Sequence, residues 1–225
     1  MSLGKRIGIV IPSSNVVIEP LVMQRFGASD NTVHFSRLGV VEVKLDAESY
    51  AQFELGEHLS AAQKLCDARV DAIVWGGTSA SWLGVECDEK YCKFIEQEIG
   101  IPTTTCFLEI NRKVAALGAR KLALVTPYTD DVHNLILDNY EKLGFPRPTG
   151  QNLDGIVSND FASISPDTLE EMIRKVAKDS PDVIIIMCTN LRGAIVAEDL
   201  SIKLGLPVID SALATLQAAS RLISL

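Results

Sequence analysis

The residues best suited to chemistry lie in two copies of one short motif. Residues 71–79 read DAIVWGGTS and residues 182–190 read DVIIIMCTN, so each copy runs from an aspartate through an apolar segment to a small residue and a threonine. The second copy carries Cys188 where the first carries Gly77. A thiol can act as a nucleophile or a proton donor, whereas glycine offers only its backbone. A site formed between the two copies would therefore have a thiol on one side only.

The first copy has the composition of an anion-binding turn. Gly77 lets the backbone approach a ligand, and the amides and hydroxyls of Thr78 and Ser79 can accept negative charge. A plain tight turn is the alternative interpretation. A phosphate-binding loop is not expected, because the segment has neither a Lys-Ser/Thr signature nor a Gly-x-Gly-x-x-Gly spacing.

The second copy places Cys188, Thr189 and Asn190 at the matching turn. This position predicts an accessible cysteine near a helix N-terminus, with a buried structural cysteine as the alternative. We expect that structural role for Cys66 and Cys106.

Short polar side chains also end the first apolar segment of each half. Ser14, Asn15 and Tyr128 are hydrogen-bond donors suited to orienting a carboxylate, and we assign Ser14, Asn15, Gly77, Thr189 and Asn190 to substrate binding. Asp130 is expected to cap the helix that follows.

The repeat extends along the whole chain. Residues 7–15 correspond to residues 122–130, and residues 100–102 correspond to residues 205–207. The offsets of the three matched pairs, 115, 111 and 105 residues, fall slowly, as expected if loops in the second half are shorter. Repeated motifs in a constant order indicate an internal duplication.

The elements that position these residues alternate between strand and helix. Strands are predicted at 6–11, 33–39, 70–76, near 102–105, 121–126, near 153–157, 182–187 and 207–209. Helices are predicted at 46–68, 86–99, 106–117, 130–143, 166–179, 191–204 and 211–223. This alternation predicts an α/β fold with parallel sheets, in two pseudo-symmetric doubly wound halves. We place the halves at residues 1–116 and 117–225, with the C-terminal segment free to pack back on the first half.

The carboxyl ends of parallel strands bind ligands in such folds. Both copies of the motif follow a strand directly, so the site is expected in the cleft between the halves.

Composition excludes several classes of function. The 225 residues carry a net charge of −8, which argues against nucleic acid and anionic membrane partners. No apolar run is long enough to span a membrane, so no transmembrane helix is expected. Lys5 and Arg6 lead straight into a strand pattern, so no signal peptide is expected either. Five cysteines without framework spacing suit a reducing cytoplasm. No metal site or cofactor is expected, and His34, His58 and His133 are expected at the surface or in local hydrogen bonds.

These motifs resemble the aspartate/glutamate racemase superfamily, in the branch of arylmalonate decarboxylases and maleate cis–trans isomerases. Residues 12–15 (PSSN) and 188–192 (CTNLR) are similar to the isomerase pattern. Gly77-Thr78-Ser79, Tyr128 and Cys188 are similar to the decarboxylase pattern, in which Gly-Thr-Ser stands where racemases have Cys-Thr-Ser. The resemblance implies two α/β halves, a cleft site and no cofactor.

The resemblance also implies a mechanism that depends on residue 77. Racemisation uses two thiols, and isomerisation needs the thiol of the first half as a nucleophile, so a glycine at this position favours decarboxylation. Thr78, Ser79 and Tyr128 would then hold an enediolate, and Cys188, as a neutral thiol of ordinary or raised pKa, would protonate it. The predicted function is decarboxylation of a substituted, aryl or alkyl, malonate.

Two other hypotheses stay open. An isomerase or racemase would need a replacement thiol, for which Cys87 and Cys106 are the nearby candidates. A small-acid binding protein without turnover is the third hypothesis. The partner in each case is a small dicarboxylic acid, and homo-oligomerisation is left open. Lining residues for the site are expected among Leu38, Val40, Val43, Tyr50 and Val157.

Overall fold

Two four-stranded parallel sheets form the frame of the protein. A computed structural model describes residues 4–26 and 30–224. The first sheet has the order β2-β1-β3-β4 and the second the order β6-β5-β7-β8. The strands are β1 (Arg6–Pro12), β2 (Thr32–Leu38), β3 (Ala72–Trp75), β4 (Thr103–Thr105), β5 (Leu122–Tyr128), β6 (Thr149–Gly155), β7 (Val183–Ile186) and β8 (Val208–Asp210).

Eleven helices in the described part of the chain cover and connect these sheets. They are α1 (Ile18–Phe26), α2 (Ala47–Ala51), α3 (Leu55–Asp67), α4 (Ala80–Leu83), α5 (Val85–Ile99), α6 (Cys106–Ala116), α7 (Asp130–Lys142), α8 (Ser158–Phe161), α9 (Pro166–Ala177), α10 (Ala194–Leu204) and α11 (Ser211–Ile223). None of the helices in this part of the chain is long and apolar enough to span a membrane.

The predicted fold class is confirmed, and all eight predicted strands are present. β3 and β7 are buried along their whole length, as expected for strands covered on both faces. In the first sheet, Ile7, Ile9 and Ile11 pack against α1 and α11 on one face, while Val10 faces the core beneath α3 and α5 on the other. This arrangement is the doubly wound architecture that the alternating pattern predicts.

The helix boundaries depart from prediction in several places, and α10 begins at Ala194 where residue 191 is predicted. The segment predicted as one helix over residues 46–68 forms two, because α2 ends at Ala51 and α3 begins at Leu55. The cap of α7 is Thr129, one residue before the predicted Asp130. α1, α4 and α8 were not predicted. Gly100 and Gly205, which correspond in the repeat, both end a helix in the left-handed conformation.

The last helix of each half lies in the core of the other half. Phe107, Ile110 and Val114 of α6 belong to the hydrophobic cluster built on the second sheet. Leu216 and Ala219 of α11 belong to the cluster around β1. This exchange ties the two sheets together with their carboxyl ends at a common cleft.

Candidate active site

A small cavity lies where the two sheets meet, with a volume of about 30 Å³. The carboxyl ends of strands β1, β3, β5 and β7 and the turns that follow them contribute to its wall. This space holds roughly one or two water molecules. The lining residues are Pro12, Val40, Val43, Phe53, Trp75, Gly77, Thr78, Ser79, Trp82, Tyr128, Ser158, Phe161, Cys188, Thr189 and Asn190.

The Cys188 thiol lines the cavity from the second half, and burial favours its neutral form. Its side chain is 5% exposed. Burial raises the pKa of Cys188 to about 11, although hydrogen bonds from the Tyr128 hydroxyl and from the amides of Asn190 and Leu191 oppose this rise. The raised pKa agrees with the expectation of a neutral thiol. The expectation of an accessible cysteine at a helix N-terminus is wrong, because α10 begins only at Ala194.

Two hydroxyls form a short network beside this thiol. The Thr78 and Tyr128 hydroxyls are 3.1 Å apart, and the Tyr128 hydroxyl also bonds to Cys188. Burial raises the pKa of Tyr128 well above its ordinary value, so its phenol remains a proton-bearing donor. Ser79 lies at the same turn, where its Oγ accepts a hydrogen bond from the Trp75 indole at 3.3 Å.

Thr189 and Asn15 bridge the two halves with their side chains. The Thr189 hydroxyl donates to the Gly76 carbonyl at 2.9 Å and accepts from the Asn15 amide at 3.2 Å. The Asn15 carboxamide oxygen accepts from the backbone amides of Val17 and Ile18 at the start of α1. These bonds fix the turn next to Cys188.

Asn190 is also bonded to other parts of the protein. Its carboxamide accepts from the Val16 amide at 2.9 Å and donates to the carbonyls of Ser14 and Ser158 at 3.3 and 2.6 Å. The Ser14 hydroxyl donates to the Val40 carbonyl at 2.7 Å, and Ser14 does not line the cavity. Thus Gly77, Thr78, Ser79, Tyr128, Cys188, Thr189 and Asn190 line the cavity, while Asn15 and Ser14 support its wall from behind.

Aromatic side chains that the sequence analysis did not identify form much of the wall. Tyr128 packs edge to face against Trp82 and Phe161, with ring centroids 5.2 and 5.7 Å away. Phe53 packs against Trp82 in the same way. Of the predicted apolar lining residues, Val40 and Val43 are confirmed, whereas Leu38, Tyr50 and Val157 do not line the cavity. Trp82 and Phe161 belong to the short helices α4 and α8, which leave no periodic signal in the sequence.

A backbone bridge between the halves lies beside the cavity and contributes Val43 and Ser158 to its lining. Glu42 and Val157 form an antiparallel β-bridge. The Val43 amide donates to the Ile156 carbonyl at 3.1 Å, and the Ser158 amide donates to the Val41 carbonyl at 3.0 Å. We name residues 41–43 and 156–158 the lid bridge. Because the cavity is smaller than a dicarboxylic acid, we expect the lid bridge to separate when one binds.

The charges around the cavity restrict how it can hold an acid. Among the described residues, the lining includes no lysine or arginine, so neutral hydroxyls and amides are its donors. The described part of the chain also contains no group of three or more His, Cys, Asp or Glu side chains placed to hold a metal ion.

None of the other four cysteines lines the cavity. Cys106 is buried and its thiol donates to the Ser211 carbonyl at 3.1 Å, whereas the Cys87 thiol bonds to the Leu83 carbonyl at 3.5 Å. Cys66 is expected to be a buried structural cysteine, but the structure shows it only half-buried.

Two of the three histidines match their prediction. His34 and His133 hydrogen-bond to Thr32 and Thr126. His58 does not: it is buried, its Nδ1 has no partner, and burial lowers its pKa to about 4.

Comparisons with known proteins match nearly the whole chain to one protein family. A family model described as arylmalonate decarboxylase matches residues 7–225. The chain is 22% identical to a maleate isomerase from Geobacillus stearothermophilus, over 93% of this chain and 88% of that protein. It is 28% identical to an arylmalonate decarboxylase from Bordetella bronchiseptica, over 65% of this chain and 62% of that protein.

Solved structures show the same fold. A maleate cis–trans isomerase from Nocardia farcinica superposes with a TM-score of 0.88 at 20% identity, over 98% of this chain and 93% of that one. An arylmalonate decarboxylase superposes with a TM-score of 0.78 at 24% identity, over 97% of this chain and 92% of that one.

Proposed function

This chain belongs to the arylmalonate decarboxylase family, and from that premise we propose that it is a cofactor-independent decarboxylase of a substituted malonate. The observation that carries the proposal is the asymmetry of the cavity wall. Cys188 lines the cavity from the second half, and the matching position in the first half is Gly77. Decarboxylation with protonation from one face needs a single acid, which this wall provides.

Binding would divide the two carboxylates of the substrate between unlike surroundings. One carboxylate accepts hydrogen bonds from Thr78, Tyr128 and Ser79, and these bonds strengthen as it becomes an enediolate. The other lies against the apolar wall that includes Val40 and Val43, where its charge has no donor. Since an unpaired buried charge is costly, its loss as carbon dioxide relieves that cost.

Protonation would complete the reaction. Breaking the bond between C2 and the apolar-side carboxylate leaves its electron pair on the enediolate, and carbon dioxide departs. The Cys188 thiol then gives its proton to C2, which yields the monoacid and a thiolate. The Tyr128 hydroxyl and the Asn190 amide stabilise this thiolate until water returns the proton. A pKa of about 11 keeps the thiol protonated before each turnover.

Isomerisation of maleate is the second candidate, because a maleate isomerase aligns with 93% of the chain. The solved Nocardia farcinica isomerase carries a covalently bound succinylcysteine intermediate. Cys188 would have to form any such bond here, because neither Cys87 nor Cys106 lines the cavity. A thiol of raised pKa is a poor nucleophile at neutral pH, so this hypothesis has less support.

Substitution of Cys188 tests the proposal. We expect Cys188→Ala to reduce decarboxylation of phenylmalonate and methyl-substituted malonates by about 10²–10⁴-fold, as for loss of a general acid. Thr78→Val should reduce it by about 10²-fold through loss of one donor. The control is Cys66→Ala, which changes a half-buried thiol on α3, away from the cavity. Full turnover by Cys188→Ala would contradict the mechanism.

A further inference from the structure

The first-half wall of the cavity is closed by an indole. Gly77 does not have a positive φ, so its backbone conformation would accept a side chain. A Cβ added at residue 77 would nevertheless overlap Cε2 and Cζ2 of Trp75 and come within 3.0 Å of Cη2. Contacts this short do not occur between real atoms in a packed interior. Trp75, and not the backbone, therefore prevents any side chain at residue 77.

Trp75 is held too firmly to move aside. It is 1% exposed, its indole N–H donates to Ser79 at 3.3 Å, and the His58 ring packs edge to face against it with centroids 4.8 Å apart. His58 in turn packs against Tyr91 at 4.7 Å. Burial keeps His58 neutral, so this stack carries no charge that would draw water into it.

The internal repeat shows what the other half has at the same places. Trp75 corresponds to Ile186, and Gly77 corresponds to Cys188. In the second half the smaller isoleucine is followed, two residues later, by a side chain that reaches the cavity. In the first half the indole takes that space, and the residue two positions later has no side chain. The two halves thus differ at both positions, with Trp75 against Ile186 and Gly77 against Cys188.

We propose that Trp75 is a specificity-determining residue, whose indole occupies the position from which a proton donor of the first half would act. It confines protonation of the enediolate to the face of Cys188, and so fixes the handedness of the product. The expected effect on product handedness rests on the proposed decarboxylation. The overlap between the Trp75 indole and a side chain at residue 77 can be tested without substrate.

The first experiment measures stability alone. Gly77→Ala should lower the Tm of the otherwise unchanged protein by on the order of 5 °C, because the added methyl group overlaps the indole. In a Trp75→Ile background the same substitution should change the Tm by no more than about 1 °C, since the space is then open. Equal losses in both backgrounds would overturn the proposal, whether or not the protein decarboxylates any malonate.

The second experiment copies the arrangement of the second half into the first. The double variant Gly77→Cys with Trp75→Ile is given the enantiopure monoacid product in deuterated buffer. One thiolate would remove the α-proton from one face, leaving the electron pair on the enediolate, and the other thiol would give a deuteron to the opposite face. We expect racemisation with deuterium uptake at least about 10-fold faster than in either single variant, as for gain of a positioned acid.

The outcomes separate the two proposals. Racemisation as fast in Gly77→Cys alone as in the double variant would show that the indole blocks nothing, and would overturn the role of Trp75. Failure of the unchanged protein to decarboxylate any malonate would overturn the proposed function, and the stability experiment would then decide the geometry by itself. Trp75→Ile alone should also lower the enantiomeric excess of the product, because water that enters the vacated space can protonate the enediolate from the second face. A purely structural tryptophan would leave the enantiomeric excess unchanged.

Discussion

Removal of the Tyr128 hydroxyl should slow catalysis far more than it destabilises the fold. This hydroxyl lies 3.1 Å from that of Thr78 and bonds to the Cys188 thiol. Tyr128→Phe keeps the ring and its edge-to-face contacts with Trp82 and Phe161. Loss of one donor to a developing oxyanion costs about 10²–10³-fold in kcat, whereas loss of one buried hydrogen bond costs about 1 kcal/mol of folding free energy.

The assay is the initial rate of monoacid formation from a substituted malonate, with the Tm measured in parallel. We expect kcat to fall by about 10²–10³-fold with little change in KM, because the bond strengthens mainly in the transition state. The Tm should fall by about 2–4 °C.

A matched control is available in the same protein. Tyr140 is equally buried, its hydroxyl donates to Asn111 at 3.1 Å, and its ring packs against Phe107 and Phe145. Tyr140→Phe should therefore lower the Tm by a similar amount and leave kcat within about twofold, since Tyr140 does not line the cavity. A Tyr128→Phe variant that keeps a third or more of the rate, or a Tyr140→Phe variant that loses as much, would refute this reasoning.

Three further predictions concern pH and access. Iodoacetamide should alkylate Cys188 slowly below about pH 9, and faster as the pH approaches the Cys188 pKa of about 11. Mass spectrometry measures the alkylation, and rapid modification at pH 7 would contradict a neutral thiol. Burial raises the pKa of Asp88 from 3.8 to about 7, so its contribution to stability is present below pH 4 and is lost as the pH rises to 7. The Asp88→Asn variant still accepts a hydrogen bond from Thr105 but carries no titrating carboxyl group. Between pH 4 and 8 its free energy of unfolding should therefore rise by on the order of 4 kcal/mol relative to that of the unchanged protein. Urea titrations in which both proteins show the same pH dependence of stability would contradict this. Glu42 and Val157 face each other across the lid bridge, so the double variant Glu42→Cys with Val157→Cys should form a disulfide. We expect this disulfide to stop turnover until a reductant is added. Unchanged activity of the oxidised variant would show that the lid bridge need not open.

Much of the fold follows from local sequence patterns, because its strands are short apolar runs between helical segments. β3 and β7 are continuously apolar since helices cover both of their faces. Ser165 and Pro166 open α9 as their residue types predict, with the Ser165 hydroxyl accepting from the Thr168 amide. The repeat adds long-range information, since it places Gly77 and Cys188 at equivalent strand ends.

Features that depend on contacts between distant segments could not be predicted in this way. α8 has four residues and no periodicity, yet it brings Phe161 to the cavity. Cys188 is buried in a cluster that includes Trp82, Tyr128 and Phe161, which come from separate parts of the chain. Asn190 has the residue type of a ligand-binding side chain, but its hydrogen bonds go to Val16, Ser14 and Ser158. Residue type indicates what a group can bind, whereas the tertiary structure decides what it does bind.

Proton NMR in deuterated buffer tests the central claim, that one thiol protonates an enediolate formed by loss of carbon dioxide. The protein is given phenylmalonate, methyl-substituted malonates and maleate in separate samples. We predict a monoacid with one deuterium at C2 from at least one malonate, and no change in maleate. Formation of fumarate from maleate, without decarboxylation of any malonate, would show that Gly77 does not prevent isomerase chemistry and would contradict the account.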